Sequence, residues 1–162
     1  KDMCDDIGLF DENMFAYYED LDINLRALLR GWTCVYCPDA VVRHRYSGST
    51  HGMGLKLGSE EVYLHLTGVW LKNTPAAVML SHALSAAAFH SIILCFTLVA
   101  RLRGKNRMPR VPFTGFLRNM LRQRKHVQKS RTVSHAEYES RFLKMNFIQF
   151  ARSEWLERRS KG

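Results

Sequence analysis

Three carboxylates, Glu19, Asp20 and Asp22, stand together directly after an aromatic run that contains Phe15, Tyr17 and Tyr18. A carboxylate beside aromatic rings loses hydration, and lost hydration raises its affinity for a proton. A general base that takes a proton from a hydroxyl group needs that property. The bland alternative is an acidic helix start, because negative side chains in a first turn meet the positive end of the macrodipole. A second candidate chemistry is metal binding at Cys34-x-x-Cys37, with Cys4 and His44 as further ligands. Residues three apart on a strand point to opposite faces, which prevents convergence on one ion, and the chain has no second Cys-x-x-Cys. These cysteines therefore read as ordinary core or surface residues.

The carboxylates need a rigid element beneath them. Asp20 to Arg30 reads as a short helix, with Ile23, Ala27 and Arg30 on one face, Leu25, Leu28 and Leu29 on another, and Gly31 as the stop. Trp32 to Tyr36 is rich in β-forming residues and predicts a strand. Pro38-Asp39 predicts a turn, and Ala40 to His44 a second short extended run. Ser47 to Gly58 holds four glycines and two serines and reads as a loop.

Charge divides the rest of the chain. Residues 1–56 carry six Lys/Arg and nine Asp/Glu, residues 57–101 two of each, and residues 102–162 sixteen Lys/Arg against four Asp/Glu. An acidic head, a neutral middle and a basic tail suggest three separate tasks. With 46% apolar residues the composition is that of a folded protein, not of a disordered chain. The four cysteines, Cys4, Cys34, Cys37 and Cys95, form no disulfide framework, so a reducing compartment is expected.

The middle segment begins with a helix over Glu60 to Lys72, and Pro75 starts another. From Asn73 to Ala100, 28 residues carry no formal charge, a length that could span a bilayer. Ser81, His82, Ser85, His90, Ser91 and Thr97 interrupt it without forming one polar stripe. In the tail, Phe113, Phe116, Leu117, Met120 and Leu121 repeat at helical spacing among Arg118, Arg122, Arg124 and Lys125. That pattern is a basic amphipathic helix suited to a headgroup boundary. Ser134-His-Ala-Glu137 is a capping box and predicts a final helix running to about Ser153. The tail carries no recognisable nucleic-acid motif, and no interaction with nucleic acid is expected.

The ordered run Gly8-Leu-Phe-Asp-Glu-x-x-Phe-x-Tyr-x-Glu-Asp-x-Asp, then Arg26, Gly31-Trp, Pro38-Asp-Ala-x-Val and His44, resembles the family 2 glycosyltransferases. The likeness is to the bacterial rhamnosyltransferase-like members with the GT-A fold, and it covers residues 6–49. It is looser in the tail, at Arg122-Gln-Arg-Lys-His-Val-Gln, Arg131-Thr-Val-Ser and Glu137. The resemblance implies inverting transfer of a sugar from a nucleotide-sugar donor to a saccharide or lipid-linked acceptor. Asp20 matches the family's general base. Glu19 and Tyr18 would shape the acceptor pocket, Asp22 and Arg26 would orient the helix, and Arg26 is also a candidate for the donor side. His44 is a candidate metal ligand near a divalent cation, Mn²⁺ or Mg²⁺, that neutralises the leaving diphosphate.

Those implications set the expected architecture. The fold class is α/β: residues 1–56 form the C-terminal part of a GT-A catalytic domain and carry the acceptor side and the base. Residues 57–101 form an apolar helical membrane-associated segment, and 102–162 a basic amphipathic helical tail. No Asp-x-Asp exists outside residues 20–22. The metal motif and the nucleotide-binding half are therefore expected upstream of Gly8, and the chain alone is expected to be inactive. Arg101, Arg103, Lys105, Arg107 and Arg110 follow the apolar segment, and only Lys72 closely precedes it. A single span would put the acidic region outside, away from cytoplasmic nucleotide sugars. The expectation is a helix lying on, or dipping into, the cytoplasmic face of a membrane with anionic lipid, with a buried core helix as the alternative. The contrasting reading is a non-catalytic membrane adaptor in which the acidic cluster only caps a helix.

Overall fold

The computed structural model describes residues 1–14, 16–43, 60–104 and 113–142. Phe15, His44, the run 47–58 expected as a loop and the expected continuation of the final helix to about Ser153 lie outside the described residues. Among the described residues seven helices follow one another: α1 (Asp2–Ile7), α2 (Glu19–Leu29), α3 (Glu60–Asn73), α4 (Ala76–Ser81), α5 (Ala83–Leu102), α6 (Phe113–Ser130) and α7 (His135–Phe142).

The second helix forms and stops where its sequence requires. Three acidic residues occupy its first turn, against the positive end of its dipole. Gly31 follows its end with φ 88°, a left-handed position that glycine takes without strain. The Gly31 N–H donates to the Leu28 carbonyl and the Trp32 N–H to the Ala27 carbonyl, both at 3.0 Å. These paired bonds are a Schellman termination.

α2, α3 and α6 build the core. Leu25 and Leu29 of α2, Leu64 and Val69 of α3, and Phe116 and Met120 of α6 are all buried in one cluster. α3 and α6 meet tightly at Gly68. A Cβ there would fall 2.4 and 2.7 Å from ring carbons of Phe116, so only a hydrogen fits between α3 and α6. α7 closes the cluster through buried Tyr138, which shares a hydrogen bond with Thr74, and burial raises the phenol's pKa above its ordinary value. Ser134 Oγ accepts the Glu137 N–H at 3.2 Å, as the capping-box spacing predicts.

The helix ends are tied by side chains of other helices. Arg26 of α2 donates to the carbonyls of Ile7, Gly8 and Leu9, just past α1. Arg124 of α6 donates to the carbonyls of Leu71 and Thr74, and Gln128 to those of Lys72 and Asn73, at the end of α3. Arg30 donates to the Ser130 carbonyl at the end of α6 and pairs with Asp6 at 2.8 Å. That pair, with the Trp32 indole N–H, holds the Asp6 carboxyl below its ordinary range. The terminal carbonyls of a helix have no partner within it, and here each tie answers some of them.

The α/β expectation is corrected: the described residues are helical and irregular, with no strand. Trp32–Tyr36 and the described part of the 40–44 run are irregular, and Val35, Tyr36, Val41 and Val42 are each more than four-fifths exposed. A strand exists only when a neighbouring backbone completes its ladder, and its β-forming side chains reflect packing on that surface. No described segment provides such a partner, so the β-forming residues face solvent.

The tail stripe is also divided. Phe116 and Met120 are buried on the core side of α6, whereas Phe113 and Leu121 remain about half exposed on the other. α5 differs again. Leu84, Leu94, Leu98 and Leu102 are exposed along it, and its tie to α3 is a Thr67–His90 hydrogen bond of 3.2 Å beside Trp70. Among the described residues no helix is long and apolar enough to cross a membrane.

Candidate functional site

The N-terminus of α2 is reached through an unusual turn. Tyr17 and Tyr18 both take left-handed conformations, φ 67° and 71°, and Tyr18 occupies the N-cap position. For residues with a Cβ this costs about 1–2 kcal/mol each, so neighbouring structure must hold the turn. His65 of α3 does so from below. It is buried, and its Nδ1 lies 3.1 Å from the Ala16 carbonyl oxygen. A carbonyl only accepts, so the proton resides on Nδ1. His65 Nε2 is enclosed and has no hydrogen-bond partner among the described residues. Leu-rich packing of α2 and the His65 bond together set where residues 17–20 stand.

Beyond that turn the three acids separate. Asp20 is exposed, and its Oδ1 accepts the Leu21 N–H at 2.7 Å. The Asp20 carbonyl accepts from Asn24 Nδ2 at 2.8 Å. Glu19 is half-buried, and its Oε2 is enclosed without a hydrogen-bond partner among the described residues. Tyr18 is half-buried. Asp22 is fully buried. Two residues along a helix is about 200° of rotation, so Asp20 and Asp22 must face opposite ways.

Asp22 is the centre of an enclosed charge network. Its Oδ2 accepts from Arg26 Nε and from Lys72 Nζ, both at 2.9 Å, and its Oδ1 accepts from Asn73 Nδ2 at 2.8 Å. Lys72 Nζ also donates to Asp11 Oδ2 at 2.8 Å. Asp11 Oδ1 accepts from Asn13, from the backbone at 3.1 Å and from Nδ2 at 2.6 Å. Burial pushes the Asp11 carboxyl up, but the Lys72 ammonium and the Asn13 bonds together outweigh it and hold the group below its ordinary range. Buried ions persist only when paired and hydrogen-bonded, and here two carboxylates meet one ammonium and one guanidinium.

This arrangement sorts the expected site residues by what they can do. Asp20 presents a carboxylate to solvent beside the half-buried Glu19, so the loss of hydration expected beside the aromatic run is not found at Asp20. Asp22 and Arg26 face inward, with Arg26 held by Asp22 and by the carbonyls after α1. His44 lies outside the described residues. Among the described residues no group of three His, Cys, Asp or Glu side chains is placed to hold a metal ion, and Asp11 and Asp22 are both taken up by Lys72. The described donor set therefore does not fit a divalent cation.

Lys72, Asn73, Asp11 and His65 were not singled out by sequence as site residues, although all four support the carboxylate turn or its helix. The available signal was Lys72 itself, a lone charge closing an apolar helix, where a charge must find a partner. Comparison with family models, with curated proteins and with solved structures finds no match to this chain.

Proposed function

We propose that Asp20 is the general base of an inverting sugar transfer from a nucleotide-sugar donor to a saccharide or lipid-linked acceptor. The observation that carries this reading is the division of labour between Asp20 and Asp22. One acid is open to an incoming hydroxyl, and its neighbour two residues on is locked into the core. Support also comes from the strained Tyr17–Tyr18 turn, since held strain of this kind gathers at functional sites. The motif order around residues 8–44 supports it independently.

In the proposed step the acceptor oxygen attacks the anomeric carbon and forms the new glycosidic bond. The bond from that carbon to the diphosphate oxygen breaks, and the nucleoside diphosphate leaves with the electron pair. Asp20 takes the hydroxyl proton as the oxygen becomes bonded. Glu19 flanks the acceptor.

A second reading has its own observation. Asp20 Oδ1 already accepts the neighbouring Leu21 N–H, and an acid in the first turn stabilises the helix through its dipole without any catalytic task. On that reading the chain is a non-catalytic membrane adaptor. Asp20→Asn separates the two, because the amide oxygen keeps the Leu21 bond and loses only the ability to take a proton. Transfer of labelled sugar from nucleotide-sugar donors is measured with the chain in its native polypeptide context. A fall of about 10²–10⁴-fold with donor binding retained supports the base. Unchanged transfer refutes it and leaves the adaptor.

A further inference from the structure

Helix α6 has two faces with different occupations. On the inner side Phe116, Met120 and Val127 are buried, while Arg124 and Gln128 hold the carbonyls at the end of α3. On the outer side an open groove of about 480 Å³ runs along the helix. It is lined by an apolar row, Phe113, Leu117 and Leu121, and a basic row, Arg118, Arg122 and Lys125. Residues at spacings of four and three fall in line along a helix, so the two rows run parallel. α6 contains no acidic residue, and Arg118, Arg122 and Lys125 form no ion pair among the described residues.

We propose that this outer face of α6 is a docking surface for an anionic lipid bilayer. The basic row meets phosphate-bearing headgroups, and the apolar row enters the boundary between headgroups and acyl chains. Charge complementarity selects the partner: three cations unpaired among the described residues, beside exposed Phe113 and Leu121 and the open edge of the otherwise core-packed Leu117, suit a surface that is anionic outside and apolar just beneath. A nucleic acid would use the basic row and leave Leu117 and Leu121 in water, and the groove offers one aromatic ring for base stacking. A folded protein partner of acidic character would leave the exposed leucines of α5 unexplained. A bilayer takes up exposed leucines as well as cations, since stable membrane association uses an apolar signal and a basic one together. The proposal does not rest on the sugar-transfer reading.

The test is flotation of the full 162-residue chain with phosphatidylcholine vesicles, with and without phosphatidylglycerol. Wild type floats with the anionic vesicles and is released by high salt. Arg118→Glu/Arg122→Glu and, separately, Phe113→Ser/Leu121→Ser each lower the partition by at least about tenfold. Their circular dichroism and thermal midpoints match wild type, because all four side chains are exposed. Four results overturn the proposal. The first is equal partition onto vesicles without phosphatidylglycerol. The second is binding to anionic vesicles that neither pair of substitutions changes. The third is oligonucleotide binding lost in Arg118→Glu/Arg122→Glu while vesicle binding is kept, which assigns the basic row to nucleic acid. The fourth is competition by soluble inorganic phosphate alone, at concentrations that leave ionic strength unchanged, which reassigns the site to a free anion.

Discussion

The region around Lys72 and the length of α5 invert the usual arrangement of a protein. Around Lys72, two carboxylates, an ammonium and a guanidinium are enclosed. Along α5, leucines stand in solvent, Leu84 and Leu102 at 89% exposure. The difference teaches what each kind of group needs. Charges can be interior when the chain itself supplies their partners, and the network does so with side chains from α2, α3 and the loop before α2. Apolar side chains in solvent mark where the described residues do not supply a partner.

The sharpest break of this contrast is Lys72→Met. It keeps the volume and the apolar stem but leaves Asp11 and Asp22 enclosed with one cation between them. Stripping one partner from a buried pair costs about 3–5 kcal/mol, a large part of a domain's stability. Chemical denaturation should show that loss as a lower midpoint at unchanged slope. An undiminished midpoint would mean that the network contributes nothing.

Acid offers a gentler break. The Asp11 carboxyl is held below its ordinary range in the folded chain, and an unfolded aspartate titrates near pH 4. A depressed folded value means that the stability is present above the unfolded value and is lost as pH falls through the folded one. Denaturation midpoints should therefore stay level, as far as Asp11 is concerned, from neutral pH down to about pH 4 and fall below it. In Lys72→Met that acid limb should flatten. Equal acid limbs in both proteins would detach Asp11 from the lysine.

The smallest effect lies at the other pole. Leu94→Ser/Leu98→Ser removes side chains that touch solvent, so thermal midpoints should correspond to a change within about 0.5 kcal/mol per site. Detergent binding by the same variant should fall. A large loss of stability would show that α5 packs more firmly than its exposure indicates.

The sequence made parts of this plain. The acid-rich start of α2, its periodicity and the glycine beyond it are local signals, and local signals decided where that helix lies. The capping box at Ser134 worked for the same reason. The strand reading at Trp32–Tyr36 failed because a strand is a property of two segments, and propensity reports only one. The stripe on α6 was legible as a helix, but a stripe that wide has two edges, and the edge that α3 covers is the one whose Phe116 fits against Gly68 and whose Arg124 and Gln128 reach the end of α3. The network was the least legible. Lys72 finds Asp22 and Asp11 at sequence separations of 50 and 61, and nothing local announces such a pairing. Asp20 and Asp22 could have been separated in advance, since helical rotation alone sends them to opposite sides.

The arginine ties between helices make the ends of these helices a shared property. A helix normally frays from its termini, independently of its neighbours. Here, melting α2 would release the carbonyls after α1 and at the end of α6 together, and melting α6 would release those of α3. The last carbonyl of α2, at Leu29, is in turn held by the Thr132 N–H at 2.9 Å, just past α6. Fraying is thus converted from several private events into one collective one. The turn that presents Asp20 stands at the start of the helix on which that collective depends.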